Sequence, residues 1–394
     1  MAPRGVYASR AMSSQRPGER AFRVAILAVL VLMAALSPIT QSHVRAASLL
    51  LRFSGGPEAT GFATVGKFEV DEQAGTIETP TGPSRIRVYT PRGVTDPPGM
   101  VLVHGVHRLG VDEPRLARFS RAIASSGVLV LTPEIKELCD YRIDARSVAT
   151  IGAGAKELAK RVGRARVGVM GMSFAGGLSI LAAADPEASS AIAFVVSVGG
   201  HHDLARVLRF FAKNEIESPD GVVKMHAHDY GALVLAYGHA EDFFPKDDVP
   251  LAKDALRTWL WGDPAAAKKM AEKLSPPGRA RMKLFEEQRE DLLAPDILAV
   301  VAKNEDAMRA VSPRYALDRL RVPVFVLHGA GDNVIPPSES LWVYAGLPAV
   351  ARGGVLVSPA IQHVELSGKP SAREQWDVVH FMADVLQAAW SEPR

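Results

Sequence analysis

The sequence predicts an α/β fold: a mostly parallel central sheet covered by helices on both faces, with one helical insertion. Three observations carry that prediction. Unbroken apolar runs recur along the chain, among them "GMVLVHG" (99–105), "VLVLTPEI" (128–135), "RVGVMG" (166–171), "AFVVSVGG" (193–200), "VPVFVLHG" (322–329) and "GGVLVSPA" (353–360). Strands that lose polar alternation in this way are buried on both faces, as in parallel sheets. Segments of helical periodicity alternate with the runs, such as "EPRLARFSRAIASSG" (113–127) and the closing "SAREQWDVVHFMADVLQAAW". Between the fourth and fifth runs the alternation stops. Residues 203–318 read as helices only, broken at "SPD", "FPKDDVP", "GDP" and "LSPPG".

Taken in order, residues 1–46 form a leader. Five arginines and a single glutamate precede "VAILAVLVLMAAL" (24–36), which is the basic then apolar order of an export signal. The apolar run alone is short for a bilayer span of about 20 residues, and only continuation to residue 42 makes a marginal one. Export is therefore expected, with the leader either kept as a membrane anchor over 24–42 or removed near Val44-Arg45-Ala46. Next, "KFEV", "GTIETP" and "SRIRVYTP" read as short strands. The α/β core then occupies 47–202 and 319–394, and the insertion 203–318 would sit on the strand ends as a lid.

Composition narrows the function classes. Of 394 residues, 47% are hydrophobic and 23% charged, which is globular and not disordered. The net charge of +3 comes from the leader's arginines, so no nucleic-acid surface is implied. Cys139 is the only cysteine, which excludes an intrachain disulfide.

The chemistry centres on "RVGVMGMSFAGGLSILAAA" (166–184), where an apolar strand runs straight into a helix through Ser173. Ligands bind at the carboxyl ends of parallel strands. A serine on a sharp strand-to-helix turn needs small neighbours two residues away on either side, and Gly171 and Ala175 supply them. A hydroxyl attacks poorly without a base. Candidates follow in the order Ser, Asp, His: Asp332 in "LHGAGDNVIP" and His363 in "VLVSPAIQHVEL", each just past a strand. Asp203, in "GGHHDLA", is the runner-up acid.

With these residues in place, the chain resembles an α/β-hydrolase from about residue 68 to 390, a serine hydrolase like the dienelactone-hydrolase-like and prolyl-oligopeptidase-like branches. "GMSFAGG" is similar to their serine elbows, with Ala175 where the last glycine stands. "LHGAGDNVIP" resembles their acid-bearing segment and "LVHG" (102–105) their oxyanion loop. The resemblance implies Ser173 as nucleophile, His363 as general base and acid, Asp332 as its orienting carboxylate, and the amides of Val106 and Phe174 as oxyanion hole.

Weaker signals surround this set. His107, His201, His202 and Tyr141 are candidate pocket residues. "MHAHD" (225–229) suggests a metal site, but on a helix residues two apart diverge, so solvated histidines are expected and no metal. Phe210, Phe211, Phe243, Phe244, Trp259 and Trp261 are expected in the core of the insertion more than on an acyl pocket. The expectation is an exported hydrolase of a carboxylic ester, apolar or bulky to judge by the lid, acting through an acyl-enzyme and needing no cofactor. The partners expected are the ester itself and, through the leader, a membrane. A peptidase or acyltransferase with the same triad, and a non-catalytic membrane-associated binding protein on this fold, are the alternatives.

Overall fold

The structure, a computed structural model, describes residues 37–55, 60–362, 365–366 and 370–392. The apolar leader segment lies outside the described residues apart from its end. The described residues open with helix α1 (Pro38–Gly55), followed by β1 (Val70–Ile77) and β2 (Ser84–Pro91). "KFEV" and "GTIETP" are thus not separate strands: their ends belong to the single strand β1, paired with β2 along its whole length. The alternating part continues through β3 (Gly99–Val103), α2 (Pro114–Ala124), β4 (Leu129–Pro133), α3 (Arg146–Val162), β5 (Val167–Met172), α4 (Phe174–Ala184) and β6 (Ile192–Val198).

The inserted segment follows: α5 (Leu204–Lys213), β7 (Glu215–Ser218), β8 (Gly221–Lys224), α6 (Tyr230–Gly238), α7 (Val249–Leu260), α8 (Pro264–Ala271), α9 (Pro276–Glu286), α10 (Glu290–Lys303) and α11 (Glu305–Ala310). It is not all helical, since β7 and β8 form an antiparallel hairpin. "SPDG" is the hairpin's turn and not a helix breaker, with Ser218 Oγ donating to the Gly221 carbonyl at 2.9 Å. The other punctuation works as helix starts. Asp263 caps α8 by accepting from Ala266 N and Pro264 follows it; Ser275 does the same for α9, with Pro276 next. The chain closes with β9 (Val324–Gly329), α12 (Ser338–Gly346), β10 (Arg352–Ser358) and α13 (Ala372–Ser391).

Eight strands make the central sheet in the order β1-β2-β4-β3-β5-β6-β9-β10. The first two pairings are antiparallel, and the six strands from β4 to β10 run parallel. Successive residues of β3 face opposite ways. Met100 and Leu102 join a core with α1, α2 and α13, while Val101 and Val103 join a larger one with α3, α4 and the insertion. The parallel register levels the carboxyl ends. Ser173 N donates to Val198 O, Gly199 N to Leu327 O and Ala330 N to Ser358 O, at 2.7, 2.7 and 3.0 Å. Whatever follows β5, β6, β9 and β10 therefore emerges on one edge.

Among the described residues no helix is long and apolar enough to cross a membrane. Ala46 and Leu49 are fully buried in α1, and His43 Nε2 lies 2.9 Å from His380 Nδ1 on α13. Cleavage near Ala46 would cut through this docked helix.

Candidate active site

Ser173 occupies the elbow between β5 and α4 with φ +56° and ψ −136°, a backbone that non-glycine residues seldom adopt. Such strain persists where the surroundings over-determine it. Here the Ser173 amide is bonded to the end of β6 and its carbonyl accepts from Gly176 N at 2.8 Å. Glycine is required at 171, because a methyl there would overlap the Ala175 carbonyl. At 175 an alanine side chain fits, fully buried. Helix α4 is buried along its entire length, which fixes its amino end rigidly. Phe174 is its first residue, so that amide has no acceptor within the helix.

The second amide of the expected pair, that of Val106, has no acceptor among the described residues. Its loop is held by His104, whose Nε2 accepts from Ile135 N at 2.9 Å while Nδ1 donates to the Gly105 carbonyl at 2.7 Å. Burial pushes the His104 pKa down to about 4, so the ring is neutral and keeps that tautomer.

Asp332 follows β9 and is 1% exposed. Its Oδ1 accepts from Val334 N at 2.9 Å and Ile335 N at 3.0 Å, a tight turn closed by the carboxylate. Its Oδ2 lies 3.3 Å from His328 Nε2. That ring is itself fixed by the Ile335 carbonyl at 2.8 Å and Ser340 Oγ at 2.6 Å. The strands that lead to Ser173 and Asp332, β5 and β9, are separated by β6 alone, two spacings or about 10 Å across the sheet. His363 lies outside the described residues; it follows β10, the next strand on that edge.

Two cavities adjoin beside the serine, and Ser173 itself lines the larger. The larger, about 440 Å³, is lined by Ser173, Phe174, Val106, His107, Tyr230 and the arginine-bearing start of α2. The smaller, about 220 Å³, is largely apolar and lies under the insertion. Val106, Phe174, Tyr230 and Val334 line both. Among the described residues each cavity has one carboxylate in its wall, and each is already taken. Glu113 caps α2 through Leu116 N at 2.8 Å and accepts Arg115 Nε at 2.8 Å. Burial alone would raise the Glu113 carboxyl, but these bonds hold it below its usual range. Asp144 receives Arg146 through bonds of 3.0 and 2.7 Å and is held low by that arginine.

The structure sorts the remaining candidates. His107 lines the larger cavity, with burial lowering its pKa, and Tyr141 lines the smaller. His201 and His202 line neither, which corrects the expectation of pocket roles. His201 is fully buried beside Phe174 with Nε2 2.8 Å from the Val311 carbonyl, and burial takes its pKa to about 4. His202 accepts from the Arg206 guanidinium through Nδ1 at 3.0 Å, and burial with that cation brings it to about 3. Asp203 caps α5 and accepts Arg314 Nη1 at 2.7 Å, so it is a structural carboxylate. Burial would raise it, yet the Arg314 bond keeps it low.

"MHAHD" is a loop and not a helix: His228 reaches the larger cavity and its amide donates to Asn333 O at 2.8 Å. Of the aromatics, Phe211 lines the smaller cavity, whereas Phe210, Phe243 and Phe244 are buried in the core and Trp261 is exposed against Arg108 and Arg257. Cys139 sits on a helical turn, with burial pushing its thiol up to about 12, far from thiolate chemistry. Tyr230, Val334 and Arg118 escaped the sequence reading, because only the folded insertion, the turn after Asp332 and the packing of α2 bring them to the cavity at Ser173.

An eight-stranded sheet of this order, with a strained serine after β5 and a buried aspartate after β9, defines an α/β-hydrolase of the serine hydrolase superfamily. Residues 159–365 match the profile of the X-Pro dipeptidyl-peptidase (S15) family, and the chain belongs to that family. No curated protein matches the chain. Among solved structures it is similar to the acylaminoacyl peptidase of Pyrococcus horikoshii, at 14% identity and a TM-score of 0.47, over 81% of this chain and 42% of that one. It is also similar to a puromycin-hydrolyzing peptidase of Mycobacterium tuberculosis, at 18% identity and a TM-score of 0.44, over 82% of this chain and 39% of that one. The chain thus spans about two-fifths of the length of these structures.

Proposed function

We propose that this hydrolase cleaves carboxylic esters through an acyl-enzyme on Ser173, with His363 as general base and Asp332 as its orienting carboxylate. The observation that carries the reading is the elbow itself: a serine in a strained backbone, lining a cavity between two amides without acceptors. Ser173 Oγ attacks the ester carbonyl carbon while His363 takes its proton. The oxyanion is stabilised by the amides of Phe174 and Val106, each such donor contributing about 10²–10³ in rate. The intermediate collapses, the C–O bond breaks, and the alcohol leaves with the proton from His363. Water, deprotonated by the same imidazole, then releases the acid and restores Ser173.

Family membership favours a second reading, cleavage after an X-Pro dipeptide. A dipeptidyl-peptidase must receive a free terminal ammonium close to the nucleophile. Among the described residues, both carboxylates lining the two cavities are already bonded to arginines, and Arg118 adds a positive charge to the larger cavity. Leaving a cation there without a partner opposes that substrate. The ester reading therefore predicts that kcat/KM for p-nitrophenyl butyrate exceeds that for Gly-Pro p-nitroanilide by on the order of 10²-fold. The reverse preference would make the protein a peptidase.

We further infer that residues 1–46 direct export, on the basic-then-apolar order of the leader, and that the insertion acts as a lid over the strand ends. Protease accessibility of the chain in intact and in lysed cells tests the first; cleavage only in lysed cells would contradict it.

A further inference from the structure

We propose that Tyr230 divides the substrate site in two, and that the apolar chamber behind it holds the acyl portion of the substrate, an aliphatic or aromatic acyl group. The proposal rests on Ser173 being the nucleophile. Tyr230 opens α6, lines both cavities and is the one residue of the insertion common to the two. Its position is fixed from three sides. The hydroxyl donates to the Val106 carbonyl at 3.1 Å, on the residue whose amide faces the oxyanion. The Tyr230 amide donates to His228 Nδ1 at 3.1 Å, and His228 is in turn bonded to Asn333, beside Asp332. On the far side, Gly231 lets α6 close onto α5, since a methyl there would overlap the Phe211 ring. Burial pushes the Tyr230 phenol upward, so it stays neutral and keeps donating.

The two chambers differ in size, about 220 against 440 Å³, and in which of them holds Ser173, and the acyl-enzyme cycle can use such a difference. Leu208, Phe211, Val234 and Met308 wall the smaller one, with Arg142, Asp144, His239 and Asn304 as its polar groups. The larger one carries His107, Glu113, Arg115, Arg118 and His228. The alcohol must depart and water must arrive, which suits the larger chamber, where Ser173 itself stands. The acyl group remains on Ser173 through both steps, and burial against apolar side chains holds it at about 25 cal/mol per Å². The smaller chamber is thus the acyl side, and the Tyr230 ring limits how an acyl chain passes into it.

The test uses the whole chain with p-nitrophenyl esters from acetate to dodecanoate, and with butyrate esters of alcohols from methanol to octanol. Tyr230→Ala is expected to raise the ratio of dodecanoate to butyrate kcat/KM by about tenfold or more. Leu208→Trp, which fills the chamber, is expected to lower that ratio. Tyr230→Phe keeps the ring and loses the bond to Val106, so it should lower kcat for every ester while leaving the chain-length optimum in place. Fluorophosphonate labelling of each variant reports whether the elbow is formed, and Leu208→Trp decides the matter if Tyr230→Ala does not fold. Labelled variants whose acyl ratio is unmoved, or whose alcohol ratio moves instead, would overturn the assignment while leaving the nucleophile intact. Absence of labelling in the unmodified protein would overturn the nucleophile, and this assignment with it.

Discussion

At the scale of single residues, the elbow makes the sharpest demands. Gly171→Ala would push a methyl into the Ala175 carbonyl, where backbone cannot yield, so we expect a loss of soluble folded protein or at least several degrees of Tm by differential scanning fluorimetry. Ala175→Gly tests the opposite direction. It restores the usual small residue but removes a fully buried methyl inside a helix, so it should cost about 1 kcal/mol of stability and leave kcat within about threefold. Asp332→Asn keeps the shape of the turn while removing the charge that would stabilise an imidazolium. A fall in kcat of about 10⁴ is expected, and an unchanged kcat would remove Asp332 from the mechanism. The same scale explains what could be read in advance. Ser173 and Asp332 stood out because each sits in a short local signature: small residues around the serine, a turn after an apolar strand for the aspartate. His201 and His202 can be read from sequence as pocket or as structural residues, because adjacency to a strand end does not say which way a ring points. Their burial is set by Val311 and Arg206, over 100 and four residues away.

At the scale of elements, α12 is the tie that locks the acid-bearing turn to the rest of the site. Glu339, 1% exposed, accepts from His202 N at 2.8 Å, Asp203 N at 2.9 Å and Arg206 Nε at 2.6 Å, and so joins α12 to the segment leaving β6. Arg314 closes the same network onto Asp203. Removing one partner of a buried pair leaves the other charge stranded. Glu339→Ala should therefore destabilise by about 3–5 kcal/mol in denaturant titration, and Glu339→Gln by less because the amide still accepts hydrogen bonds. Equal stability of all three would deny the network its structural role. The strands and most helices were legible because apolar runs and helical periodicity are local properties. The hairpin β7–β8 was not, since two four-residue strands around Pro219-Asp220 carry too little pattern to outweigh the helical stretches beside them. The loop at 225–229 was read as a helix for the same reason. Which insertion residue reaches Ser173 depends on how α5 and α6 pack, which no local pattern encodes.

At the scale of the whole molecule, three histidines are folded into the core uncharged. Burial takes His104 and His201 to about 4, and burial with Arg206 takes His202 to about 3, against about 6.5 in an unfolded chain. Between those values the unfolded chain binds protons that the folded one refuses. Stability is therefore fully present above about pH 6.5 and declines as pH falls toward 4. Asp203 adds to the decline, because its depressed carboxyl must be protonated at the acid end. The urea midpoint should be flat from pH 8 to about 7 and fall steadily from pH 6 to 4, and His202→Gln should lessen the slope; a midpoint unchanged down to pH 4 would contradict the buried, neutral assignment. The central claim concerns one atom, Ser173 Oγ, and the most direct measurement is fluorophosphonate labelling followed by mass spectrometry of the modified peptide. The account predicts a single adduct on Ser173, absent in Ser173→Ala together with a loss of ester turnover on the order of 10⁴–10⁶. An adduct on another residue, or undiminished turnover in Ser173→Ala, would contradict it.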